Sequence, residues 1–141
     1  HIVNMASCAG IACLPEMSCY NVPKAGVIAL SETLRLELTP KNIGVTVVAP
    51  TFFKTNLMDQ FQSPRKRQEE MANTFFDKSL ATADKVAEHA YRCVEKKKLY
   101  AICQIDGKTM WRLKRLAPEL YHRLGGFFYK KELYKKYFNL S

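Results

Sequence analysis

SCAGIACLPEMSCYNVPK, residues 7–24, joins a short apolar strand at Ile2–Ala6 to a long helix that runs on to about Thr39. It ends in a tyrosine and a lysine, Tyr20 and Lys24, four positions apart. In a helix that spacing puts the two side chains on one face in successive turns. A free tyrosine has a pKa of about 10, and a cation held beside it favours the phenolate, the direction that general acid–base work at neutral pH requires. Ser7 stands thirteen residues before Tyr20, where the strand runs out. Taken singly, a serine at a strand end is more often a loop or capping residue, and a lone tyrosine more often a core or interface aromatic.

Outward from this stretch, the helix stops at Pro40, which cannot continue it. Pro23 is comfortable only in a first turn, so the spacing predicts a helix start near Tyr20 to Val22, capped by Ser18 or Asn21. Val27, Leu30, Leu34 and Leu38 form one apolar stripe and Ile28 with Leu36 start another, which predicts burial on more than one side. Residues 43–49, IGVTVVA, are nearly all apolar and β-branched, as in a parallel strand covered on both faces. Strand, helix and strand within fifty residues make a right-handed βαβ unit the economical topology. Ligands of such sheets lie at the carboxyl ends of the strands, where both Ser7 and the segment Pro50–Thr55 fall.

Ser7, the Tyr20-x-x-x-Lys24 motif, the Lys-Ala-Gly-Val run that follows and the segment Val47-Val48-Ala49-Pro50-Thr51-Phe52-Phe53-Lys54-Thr55 together resemble the classical short-chain dehydrogenases/reductases. The resemblance covers about residues 1–104. It implies an α/β fold, part of a Rossmann-type doubly wound parallel sheet of about three strands, and NAD(P)-dependent interconversion of an alcohol and a carbonyl. By resemblance Tyr20 is the acid–base residue, Lys24 binds the nicotinamide ribose and Ser7 orients the substrate oxygen. Pro50, Thr51, Phe53 and Thr55 border the nicotinamide of NAD or NADP, with Tyr20 and Lys24 also contributing to the cofactor site. The family usually has glycine where Thr51 stands, and its catalytic asparagine belongs to an earlier helix that Asn4, in the strand, does not replace. The long helix, residues 22–39, is expected to pair with its counterpart in a homodimer or tetramer.

The six glycines, at 10, 26, 44, 107, 125 and 126, form no Gly-rich strand-to-helix turn of the kind that cradles a pyrophosphate. The chain opens on His1 inside a strand and reads as a catalytic half, expected to be inactive alone. Residues 1–105 are taken as that half and 106–141 as a basic helical tail. Within the first part, the resemblance implies that residues 56–79 cover the substrate pocket, with Phe52, Leu57, Met58, Phe61 and Phe75 favouring an apolar substrate.

The 141 residues carry a net charge of +9 and are 48% hydrophobic, enough for a core. Five cysteines with no CxxC and no paired Cys/His spacing argue against a zinc site or a disulfide framework and for a reducing, cytoplasmic setting, although Cys8 and Cys19 adjoin the site and could be modified. Arg65-Lys66-Arg67 lacks the aromatic interleaving of a nucleic-acid binder, so a solvated face is expected there. Thr82 is placed as the N-cap of a helix ending in Lys96–Lys98, followed by an edge strand at Leu99–Gln104. From Asp106 on, nine Lys/Arg stand against three acids and alternate with aromatic and leucine residues. That pattern fits a helix packed over its own fold or a basic amphipathic segment on an anionic membrane surface, with a break at Leu124–Gly126. A noncatalytic scaffold working through this tail on a membrane or an acidic partner is the alternative to the oxidoreductase.

Overall fold

The structure, a computed structural model, describes residues 1–53, 79 and 81–132. Three parallel strands, β1 (Ile2–Met5), β2 (Val45–Val48) and β3 (Tyr100–Ala101), lie in the order β1-β2-β3. The register pairs Ile2 with Val45 through Met5 with Val48, and Val47 with Tyr100. Helices α1 (Ala9–Ala12) and α2 (Ser18–Leu38) connect β1 to β2, with a 3-10 turn at Thr39–Lys41. Helix α3 (Ala83–Glu95) precedes β3, and α4 (Ile105–Leu116) and α5 (Pro118–Lys130) follow it. The expected strand-helix-strand unit and partial parallel sheet are therefore present.

The middle strand is the β-branched run, and all four of its residues are buried. Thr46 is tolerated there because its hydroxyl donates to the Lys98 carbonyl at 2.6 Å and lies 2.9 Å from His1 Nε2, so nothing polar is left unpaired. The core gathers Ala6, Cys8, Ile11, Ile28, Val47, Ala49 and Ile102, with Val27, Tyr100 and Trp111 packed against it. Strand β1 alternates instead: Val3 and Met5 are 50% and 57% exposed, while Ile2 and Asn4 face inward. Asn4 Nδ2 donates to Ser31 Oγ at 3.0 Å, and that hydroxyl donates to the Val27 carbonyl at 2.6 Å. Asn4 is thus a tie between strand and helix.

Three expectations are corrected. Helix α2 starts at Ser18, after Met17 and not at Tyr20–Val22, and Pro23 sits inside it. Pro23 has no N–H to offer the carbonyl of Cys19, an exposed residue, so one helical hydrogen bond is missing there. The helix buries one side only: Ile28 and Ser31 are buried, whereas Val22 and Leu36 are 71% and 77% exposed. A three-stranded sheet offers this helix a single surface, which covers Ile28 and leaves Val22, Leu30 and Leu36 exposed. The tail breaks at Ala117–Pro118, not at Leu124–Gly126, and Gly125 and Gly126 lie within α5. Glycine lowers helix propensity by about 1 kcal/mol, whereas proline sterically drives the preceding residue out of the helical region, so the proline decides the boundary. Ala117 is accordingly non-helical and Pro118 opens the new helix.

The chain divides into two units, His1–Thr51 with Asp84–Arg112, and Phe52–Ala83 with Leu113–Ser141. In the first, Tyr100 and Trp111 rings meet at 5.4 Å, the Tyr100 hydroxyl donates to Glu32, and Arg35 donates to the Lys97 carbonyl at 2.9 Å. In the second, Ser79 donates to the Phe52 carbonyl at 2.7 Å. Leu57, Met58, Phe61, Arg65–Arg67 and Phe75, singled out above, lie outside the described residues.

Candidate functional site

The loops leaving β1 and β2 are stitched together at the carboxyl end of the sheet. Ala6 N–H donates to the Val48 carbonyl at 2.8 Å, Cys8 N–H to the Pro50 carbonyl at 2.9 Å, and Cys8 Sγ to the Ala49 carbonyl at 3.3 Å. Ser7 therefore stands beside the segment that begins with buried Pro50. Its hydroxyl oxygen accepts the Ala9 N–H at 3.1 Å, an ST-turn that starts α1. Accepting that bond uses a lone pair and leaves the hydroxyl proton available to donate.

Helix α1 then rests on α2 at a point of close approach. A Cβ at Gly10 would lie 2.6 Å from Ala25 N and from Lys24 C, and 2.8 Å from the Lys24 carbonyl oxygen. Only glycine permits that contact, and it fixes the turn after Ser7 against the backbone of Lys24 itself. On the exposed side of α2, Lys24 Nζ lies 5.6 Å from the centroid of the Tyr20 ring, within cation–π range. The four-residue spacing has brought cation and phenol together as helix geometry requires. Asn21, next to Tyr20, is buried and donates through Nδ2 to the Leu14 carbonyl at 2.8 Å, anchoring the start of α2 to the preceding loop.

Thr51 is held by the segment that follows β3. Its N–H donates to Gln104 Oε1 at 3.1 Å and its hydroxyl to Asp106 Oδ1 at 3.3 Å, so both of its donors are engaged inside the protein. The same Asp106 oxygen accepts the Gly107 N–H at 2.8 Å. A Cβ at Gly107 would fall 2.7 Å from Cys8 Sγ, 2.9 Å from Ile102 Cγ2 and 3.0 Å from Thr51 Cγ2. The β-branched side chain at 51 is accommodated because residue 107 has none. Phe53 is half-buried and belongs to the second unit; Thr55 lies outside the described residues.

Gly10 sets the turn after Ser7 against Lys24, while Gln104, Asp106 and Gly107 hold Thr51, and motif spacing pointed to none of those last three. Gly10 alone carried a signal, three residues after Ser7 in a stretch otherwise rich in side chains. The expectation that Cys8 could be modified is corrected: burial, with a contribution from the Asp106 charge, pushes its thiol up to about 12, so it is a protonated core donor. Cys19 is exposed. Among the described residues no group of histidine, cysteine and carboxylate side chains could hold a metal ion, and no helix is long and apolar enough to cross a membrane.

The family model described as enoyl-(acyl carrier protein) reductase matches residues 1–102. The chain is 30% identical over 127 residues to the "Probable oxidoreductase EphD" of Mycobacterium tuberculosis, covering 84% of this chain and 22% of that protein. It is 34% identical over 73 residues to human dehydrogenase/reductase SDR family member 4, covering 52% and 26%. Among solved structures, a short-chain dehydrogenase/reductase from Burkholderia phymatum in complex with NAD aligns with a TM-score of 0.75 at 25% identity, covering 85% of this chain and 48% of that one. A short-chain dehydrogenase from Sphingobium yanoikuyae in complex with NADPH gives 0.63 at 26% identity, covering 84% and 42%. The chain thus spans under half the length of each of these proteins. A strand-end serine, a lysine cation beside a tyrosine one turn away, and a match over residues 1–102 lead to one conclusion: the chain belongs to the short-chain dehydrogenase/reductase family.

Proposed function

We propose that this chain is the catalytic, carboxyl-terminal part of an NAD(P)-dependent oxidoreductase that interconverts a small alcohol and its carbonyl. Tyr20 is the proton donor and acceptor: its hydroxyl gives a proton to the carbonyl oxygen in reduction and recovers it in oxidation. Lys24 places a positive charge beside the phenol as negative charge develops on its oxygen. Ser7 orients the substrate oxygen through the hydroxyl proton that its contact with Ala9 leaves available. The observation that carries the reading is the Lys24 ammonium 5.6 Å from the Tyr20 ring centroid.

The donor set fits one end of a dinucleotide. Lys24 offers an ammonium to a ribose hydroxyl and Pro50 stands at the carboxyl end of the same sheet, whereas Thr51 has its N–H and hydroxyl engaged by Gln104 and Asp106. Bound NAD or NADP supplies or accepts the hydride. The exposed stripe of α2, including Val22, Leu30 and Leu36, would be covered by the same helix of a second copy.

The test compares turnover and cofactor binding in this chain and in a form extended upstream by a glycine-rich strand-turn-helix. In the extended form Tyr20→Phe should lower kcat by roughly 10²-fold or more while cofactor affinity stays within a factor of two or so. Unaltered turnover in that variant would reject the role given to Tyr20.

A further inference from the structure

The helix α5 combines an exposed apolar arc with cations at its edge. At 3.6 residues per turn Leu120, Tyr121, Leu124, Phe127 and Phe128 fall within about 120° of its circumference. Phe127 and Phe128 are 54% and 52% exposed, Leu120 and Leu124 are exposed as well, and the two phenylalanine rings meet edge to face at 6.1 Å. Arg123 and Lys130, both exposed, lie just outside that arc, and Lys131 follows directly. In sequence, residues 112–136 hold eight Lys/Arg (112, 114, 115, 123, 130, 131, 135 and 136) against two acids, Glu119 and Glu132.

We propose that α5 is an interfacial helix that lies in the plane of an anionic lipid surface. Charge complementarity selects this occupant. A bulky apolar arc beside a net excess of cations matches a surface that is apolar beneath and negative above, with aliphatic stems reaching past the arc to the headgroups. The two phenylalanines with Tyr121 on the same arc supply aromatic rings suited to headgroup depth. No described helix is long and apolar enough to span a membrane. Each Lys or Arg near an anionic surface favours binding by roughly fivefold, and that gain disappears as salt shortens the Debye length from about 10 Å at 0.1 M to about 3 Å at 1 M.

The full chain is sedimented with phosphatidylcholine vesicles, with and without phosphatidylserine. The expected result is binding to the phosphatidylserine vesicles that falls at least tenfold at high salt. Phe127→Ser with Phe128→Ser, and separately Arg123→Ala with Lys130→Ala and Lys131→Ala, should each reduce it by about tenfold or more. Circular dichroism of these exposed-site variants reports whether the fold survives. Equal binding to neutral vesicles, or binding unchanged in the phenylalanine variant, overturns the proposal. So does absence of vesicle binding, including the case where that variant converts a dimer to a monomer and α5 is shown to cover a second copy. The readout involves no turnover, so it stands apart from the catalytic reading.

Discussion

Gly10→Ala tests whether the site is set by the contact of α1 with α2. The added Cβ would lie 2.6 Å from two backbone atoms of Lys24 and Ala25. Ordinary contacts between such atoms are about 3.5 Å, so one helix must retreat by about 1 Å. A backbone in mid-helix cannot rotate away as a side chain can, so the short helix α1 has to lift. Its buried residues Ala9, Ile11 and Ala12 then lose contact with the core. Overpacking of this kind costs roughly 1–3 kcal/mol, here near the upper end, offset by about 0.5–1 kcal/mol that alanine gains over glycine in a helix. The net expectation is about 2 kcal/mol of destabilisation, seen in urea unfolding as a lower midpoint at unchanged slope and in melting as a drop of roughly 4–8 °C. Ser7 is tied to the start of α1 through Ala9, so the same lift moves its hydroxyl relative to Lys24. If the extended form turns over as proposed, this should lower kcat beyond what reduced stability explains, since misplacement by about 1 Å can cost about 10²-fold. A variant as stable as the parent, or more stable, would refute the claim that this approach is tight.

Gly26→Ala should act in the opposite sense, because nothing lies within 4 Å of its Cβ position on α2; a gain of about 0.5–1 kcal/mol in urea unfolding is expected. Gly107→Ala should destabilise by about 1–3 kcal/mol, and Thr51→Ser, which removes the methyl group 3.0 Å from the new carbon, should recover part of that loss in a double-mutant cycle; strictly additive effects would argue against the contact. Cys8 has its thiol raised from 9.0 to about 12, so the folded state holds that proton more tightly than the unfolded one. Its stabilising effect is complete below pH 9 and is lost as pH climbs toward 12, at no more than about 1.4 kcal/mol per pH unit, a slope that Cys8→Ala should flatten in unfolding curves. Native alkylation followed by mass spectrometry should modify exposed Cys13 and Cys19 within the time that leaves buried Cys8 and Cys93 intact.

Local pattern was sufficient for the sheet and for the motif pair. The β-branched run at 43–49 could only be a doubly covered strand, and Tyr20 and Lys24 met because a helix enforces their spacing. Local pattern misled where two signals competed. Pro23 argued for a later helix start, yet the chain carries it inside α2, whose first turn is tied to the preceding loop by the Asn21 side chain donating to the Leu14 carbonyl. At the tail the glycine pair at 125–126 was weighed above Pro118, although steric exclusion at a proline is stronger than weak helix propensity.

The amino-acid sequence by itself determined the strand-helix-strand order, the tyrosine–lysine pairing and the family, because each depends on residues close along the chain or on a repeated spacing. Tertiary structure alone decided that Thr51 is held by Gln104 and Asp106, that Gly107 makes room for it, that Cys8 is a buried donor and that Gly10 sets α1 on Lys24. Those contacts join positions up to 56 residues apart. Close packing at a distance leaves no periodic trace in the sequence, so only the folded arrangement reveals it.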